Sequence, residues 1–73
     1  KEKVEIKSYR ENDIKLESFS EIKRLIVLTD IYYPTWKAFL DGGQTEIIPV
    51  DYLFRSVIVP EGKHIIEFRN TFI

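Results

Sequence analysis

The sequence predicts an all-β domain, an antiparallel β-sandwich of about seven strands, immunoglobulin-like or jelly-roll-like. Three observations predict it. Short segments alternate apolar and polar residues with a period of two, at spacings of about ten residues. Turn signals separate them: Glu11-Asn12-Asp13, Asp41-Gly42-Gly43-Gln44 and Val59-Pro60-Glu61-Gly62. A hydrophobic fraction of 44%, with 14% aromatic residues, supplies a dense core for a 73-residue chain. Density matters because a chain this short buries only about 60–65% of its unfolded surface.

Val4, Ile6 and Ser8 alternate with Glu5, Lys7 and Tyr9, so one face of the first strand is expected on the core. At Glu11-Asn12-Asp13 the chain turns, since Asn and Asp tolerate positive φ. Ile14 and Leu16 then alternate with Lys15 and Glu17 and complete an N-terminal hairpin. Residues 18–28 carry two patterns. Ser18 followed by Glu21 fits a capping box, and Ile22, Leu25 and Ile26 have helical spacing. Residues 25–29 instead resemble a central strand, apolar on both faces. The reading taken is turn then strand, with at most one helical turn near residues 20–23.

Tyr32-Tyr33-Pro34 breaks regular structure, because proline donates nothing to a ladder. Trp36, Ala38 and Leu40 share one face of the next strand, with Lys37, Phe39 and Asp41 on the other. Asp41-Gly42-Gly43-Gln44 reads as a hairpin with a primed turn. Residues 44–50 form the return strand, where Pro49 signals an edge or a bulge. Residues 53–59 make a further strand. Val59-Pro60-Glu61-Gly62 fits a type I turn. In the last strand, residues 63–70, His64, Ile66 and Phe68 face one way and Ile65, Glu67 and Arg69 the other.

The length gives one domain, residues 1–73, and the absence of cysteine removes disulfides and thiolate metal sites. Eleven basic and 12 acidic residues leave a net charge of −1, without the basic excess a nucleic-acid partner demands. No apolar run approaches the roughly 18–20 residues that span a bilayer. The chain starts without Met, so a fragment excised from a larger protein is expected.

Few residues suggest chemistry, and each has a plain structural reading beside it. Tyr32, Tyr33 and Trp36 combine large ring faces with polar edges, as a sugar-stacking platform requires. Trp36 also reads as the keystone of the core, because Ala38 and Leu40 follow it at strand spacing. Arg55 has the forked geometry to clamp a carboxylate or phosphate, with Asp51-Tyr52 as neighbours, or else is a solvated charge on a strand. His64, the only histidine, reads as a structural or rim residue, since zinc needs three or four ligands. Asp30, Asp41 and Asp51 are isolated acids, whereas glycoside hydrolysis needs two facing each other across a cleft. No catalytic residue, cofactor or metal is expected.

Tyr-Tyr-Pro-x-Trp-Lys-Ala-x-x-Asp-Gly from Tyr32, followed by Leu-Phe-Arg-x-Val-x-Val-Pro-x-Gly-Lys-His-x-Ile-Glu-Phe from Leu53, resembles the C-terminal domain of the YfhO family of bacterial multi-pass membrane proteins. The likeness covers residues 28–69. The sequence departs at Thr35, where the family commonly has Gly, and at Gly43, where Lys is common. The resemblance implies a membrane-embedded, glycosyltransferase-like body using a lipid-linked sugar donor. This β-domain would sit on the extracytoplasmic face of the cytoplasmic membrane, away from the catalytic centre. It implies a non-catalytic accessory role in cell-envelope polysaccharide or lipid glycosylation. The partners would be the parent's membrane body and a glycan, contacted by Tyr32, Tyr33, Trp36 and Arg55. A purely structural or protein-interaction module, including a weak homodimer through an exposed strand edge, is the alternative. A free-standing hydrolase is the third class and the least expected.

Overall fold

A computed structural model of the chain describes residues 3–31, 35–51 and 54–71. Among these residues seven strands follow in order: β1 (Lys3–Arg10), β2 (Asp13–Ser20), β3 (Arg24–Ile31), β4 (Trp36–Leu40), β5 (Gly43–Thr45), β6 (Phe54–Val59) and β7 (Gly62–Asn70). They form two antiparallel sheets, a five-stranded one in the order β1-β2-β7-β4-β5 and a two-stranded one of β3 and β6. The domain is therefore all-β, as the period-two patterning predicts. Its two layers are unequal, with five strands in one and two in the other among the described residues.

The core lies between the layers. The large sheet contributes Ile14 and Leu16 from β2, Trp36 and Ala38 from β4, and Ile66 and Phe68 from β7. The small sheet contributes Val57 and Val59, and Ile26, Leu28, Leu40 and Ile47 pack against the cluster. Register makes this possible: Phe68 stands opposite both Ile14 and Ala38, so three strands place their apolar residues in one row. Trp36, Ala38 and Leu40 do share a face, as do Ile66 and Phe68.

The turns follow local chemistry. Asp41 and Gly42 both have positive φ, 51° and 89°, which is the pattern of a primed two-residue turn between the paired Leu40 and Gly43. The Glu11-Asn12 turn differs from expectation, because Asn12 does not use positive φ. It is held from outside instead: the Asn70 amide donates to the Asn12 carbonyl at 2.9 Å and the Asn70 side chain to Asn12 Oδ1 at 3.2 Å. Residues 21–23 form a bend with no helical turn. There the Ser20 hydroxyl donates to the Ile22 carbonyl at 2.8 Å and accepts from the Ile22 amide at 3.3 Å, a local loop that competes with helix.

Three expectations are corrected. The return strand after the β4–β5 turn ends at Thr45, not Val50. The chain then leaves the large sheet and crosses to β6, where the Ile48 amide donates to the Ser56 carbonyl at 2.8 Å and Val50 bridges Phe54. The buried Ser56 hydroxyl donates to the Ile48 carbonyl at 2.5 Å and fastens the crossing. Second, β3 is not a central strand. Among the described residues it pairs only with β6, and Leu25 and Val27 are exposed. Third, the apolar face of β1 is not buried. Val4 stands opposite Ser18 and Ile6 opposite Leu16, and the register shift between Ile6 and Ser8 brings Tyr9, expected on the other face, opposite Ile14, so these three share the core-facing side of the sheet. They are nevertheless 55%, 58% and 58% exposed, because a two-stranded second layer is too narrow to reach them.

Candidate functional site

The strands that carry the family-like motifs bring two of the expected site residues together. Trp36 opens β4, and Arg55 is the second residue of β6 in the facing sheet. The Arg55 guanidinium lies over the Trp36 ring at 3.9 Å from its centroid and 5.5 Å from that of Phe68. Both residues are enclosed, Trp36 at 7% and Arg55 at 2% exposure. Arg55 is thus neither a solvated charge nor an open clamp. It is a cation set against the negative face of an indole between the layers, where desolvation strengthens the attraction. Trp36 takes the core role, with one face already occupied by Arg55. Tyr32 and Tyr33 lie outside the described residues, as does Tyr52.

The Asp41–His64 pair was not foreseen from sequence, where Asp41 has only its turn role and His64 only a rim position. The β4–β5 turn lifts Asp41 beside the start of β7. Its Oδ2 lies 2.5 Å from His64 Nδ1, and its Oδ1 accepts the Ile65 amide at 2.8 Å. The Asp41 amide in turn donates to the Ile65 carbonyl at 2.8 Å. His64 Nε2 lies 2.9 Å from the Glu61 carbonyl. The Ile65 amide, then the His64 ring, hold the Asp41 carboxyl below its ordinary range. Hydrogen bonds to Asp41 and then to the Glu61 carbonyl raise His64 above its ordinary value. The sequence offers the two residue types 23 positions apart, but only strand pairing makes them neighbours.

On the outer face of the large sheet, Lys3, Glu5, Lys7, Glu17 and Lys63 form a run of alternating ion pairs at 3.0–3.4 Å. Nearby, Asp13 and Glu67 are two carboxyls sharing a hydrogen bond. That bond from Asp13, then burial, raises the Asp13 carboxyl. Burial works to raise Glu67, but hydrogen bonds from Asp13 and Arg69 prevail and hold it low. Arg69 is fixed above, bonding both Glu67 oxygens at 3.0 and 3.3 Å with its guanidinium over the Phe39 ring at 4.5 Å. At neutral pH the fold therefore sets two negative groups together, and Asp13 Oδ1 is buried with no partner among the described residues. A raised carboxyl contributes its stability at low pH and loses it as pH rises through its folded value. Asp13→Asn, which supplies a permanent donor, should stabilise the domain at pH 7 by about 0.5 kcal/mol and bring no gain at pH 3. Thermal unfolding at the two pH values checks this.

The remaining feature is the open side of the sandwich. A groove of about 330 Å³ is lined by residues of β1 and β2, among them Val4 and Ser18, and by residues of β3 and β6, among them Ile26 and Val59. One wall is the exposed face of β1, and the other is β3, whose second edge pairs with no strand among the described residues. Among the described residues no group of three or more His, Cys, Asp or Glu could hold a metal ion. No helix among them is long and apolar enough to cross a membrane. Comparison of the chain with family models, with curated proteins and with solved structures finds no match in any of the three.

Proposed function

We propose that this chain is a non-catalytic accessory β-domain, on the extracytoplasmic face of a bacterial cytoplasmic membrane, of a glycosyltransferase-like membrane protein. Its parent acts in cell-envelope polysaccharide or lipid glycosylation. The resemblance of residues 28–69 to the C-terminal domain of the YfhO family supports the class. The observation that carries the mode of action is the open side, where the core-facing residues of β1 lie exposed beside the edge of β3. An exposed apolar strand edge is a template for pairing, and natural domains cover or blunt it. The β1 edge is blunted by the register shift between Ile6 and Ser8 and by its ion pairs. The β3 edge carries the run Leu25-Ile26-Val27-Leu28. In this reading the domain docks on the parent's membrane body through that side, and its contribution is placement.

Glycan contact, the finer part of the reading, falls on Tyr32 and Tyr33, since Trp36 and Arg55 are enclosed by their mutual stack. The experiment is cysteine cross-linking in the membrane-embedded parent, with single cysteines placed in residues 1–73, which contain none of their own. Tyr9→Cys and Val27→Cys should cross-link to the membrane body, and Gln44→Cys, exposed on the opposite β5 edge, should not. Cross-links between two copies of the domain would favour the homodimer alternative, and none from either position would overturn docking. In parallel, a two-dimensional amide NMR titration with envelope-type oligosaccharides should leave the Trp36 indole resonance unmoved. A saturable shift there would return Trp36 to the binding role.

A further inference from the structure

We propose that Asp41 and His64 form a proton-operated latch that fastens the β4–β5 turn to the start of β7 and opens as pH rises. The geometry of acceptors carries it. His64 Nδ1 faces a carboxylate oxygen at 2.5 Å and Nε2 faces a backbone carbonyl at 2.9 Å. Neither partner can donate, so both ring nitrogens must. Only the imidazolium has two N–H groups; the neutral ring leaves one lone pair against an oxygen lone pair.

The fold supports this state from each side. Asp41 is fixed independently of the histidine by its two hydrogen bonds with Ile65, so its carboxylate is already aimed. The charged groups acting on the ring are Asp41 and Glu61, both acidic. On β2 the residue opposite His64 is the uncharged, buried Ser18. Lys63 stands opposite Phe19 on the other face and is paired with Glu17 at 3.3 Å.

The pH window follows from the signs. His64 is raised, so its contribution is complete below about 6.5 and is lost as pH rises through the folded value. Asp41 is lowered, so its contribution is complete above about 3.8 and is lost as pH falls through its folded value. The latch is closed between these limits. Opening on the alkaline side releases one proton to solvent. It loosens the turn that leads into β5, a strand of three residues at the sheet edge, and the crossing whose Ile47 packs on the core.

The test is an NMR titration of the 73-residue chain from pH 4 to pH 9. His64, the only histidine, gives an unambiguous ring signal. Its midpoint should lie above 6.5, and the amides of Asp41, Gly42 and Ile65 should shift with that same midpoint. In Asp41→Asn, which tolerates the positive φ of the turn, the His64 midpoint should fall. In His64→Gln the step in the three amides should vanish. Relative to that variant, hydrogen-exchange protection of the Ile65 amide in the wild type should fall about two- to tenfold across the midpoint. A wild-type midpoint at or below 6.5, an unchanged midpoint in Asp41→Asn, or turn amides that ignore the histidine would overturn the latch.

Discussion

Phe68→Ala should cost the domain about 3–5 kcal/mol, the range for removing a fully buried ring from a core that relaxes only in part. Phe68 has no exposed surface and lies opposite Ile14 on one neighbour and Ala38 on the other. It also meets Arg55 from the facing sheet, with the guanidinium 5.5 Å from its ring. Among the described residues β7 alone pairs with both β2 and β4, so the cavity would lie where the two halves of the large sheet join. At about 0.05–0.15 kcal/mol per residue, a chain of this length has roughly 4–11 kcal/mol of stability in all. The variant should therefore lose from about a quarter of its stability to all of it. Urea unfolding followed by Trp36 emission should show a midpoint shifted far down with an unchanged slope. Ile65→Ala, on the outward face of the same strand, is the control and should cost less than about 1.5 kcal/mol. Equal effects at the two positions would mean that the core does not lie where the burial pattern puts it.

Much of this fold is legible because period-two alternation and turn chemistry are local properties. Ile14 and Leu16, Trp36 and Ala38, and Ile66 and Phe68 each announce a buried face through their neighbours. Asp41-Gly42 announces its turn through the two residues that need positive φ. Which alternating face is covered is not local. Val4 and Ile6 have the same pattern as Ile14 and Leu16 and lie on the same side of the same sheet, where the register shift in β1 also brings Tyr9. They differ only in standing beyond the reach of β3 and β6. The apolar run of residues 25–28 likewise looks central because all its residues are hydrophobic, although its sheet has two strands among the described residues. The Asp41–His64 pair is hidden for a related reason, since its members become neighbours only through the pairing of β4 with β7. Arg55 is the hardest case, because charge predicts exposure unless a partner is in view. Its partner is an aromatic ring contributed by the other sheet.

Arg55→Ala should destabilise the domain by about 2–4 kcal/mol, an effect unusual for an arginine and diagnostic of its burial. A desolvated cation over an indole is worth about 2 kcal/mol or more, and the apolar stem adds packing that alanine lacks. Arg55→Lys separates the stacked plane from the charge. Lysine keeps the cation but offers a compact ammonium in place of a flat, delocalised group that covers a ring face. If the 3.9 Å stack on Trp36 is the source of the stabilisation, the lysine variant should lose more than half of what the alanine variant loses. The Trp36 emission should change in both, since the group covering that ring has been altered. A lysine variant as stable as wild type, beside a weakened alanine variant, would show that a point charge is what the position requires. Arg55 would then be an electrostatic anchor for an acidic group, and the ligand-clamp reading would regain its basis. Loss in both variants instead assigns Arg55 to the interior, as the cation that lets a small sandwich bury its single tryptophan against the facing sheet.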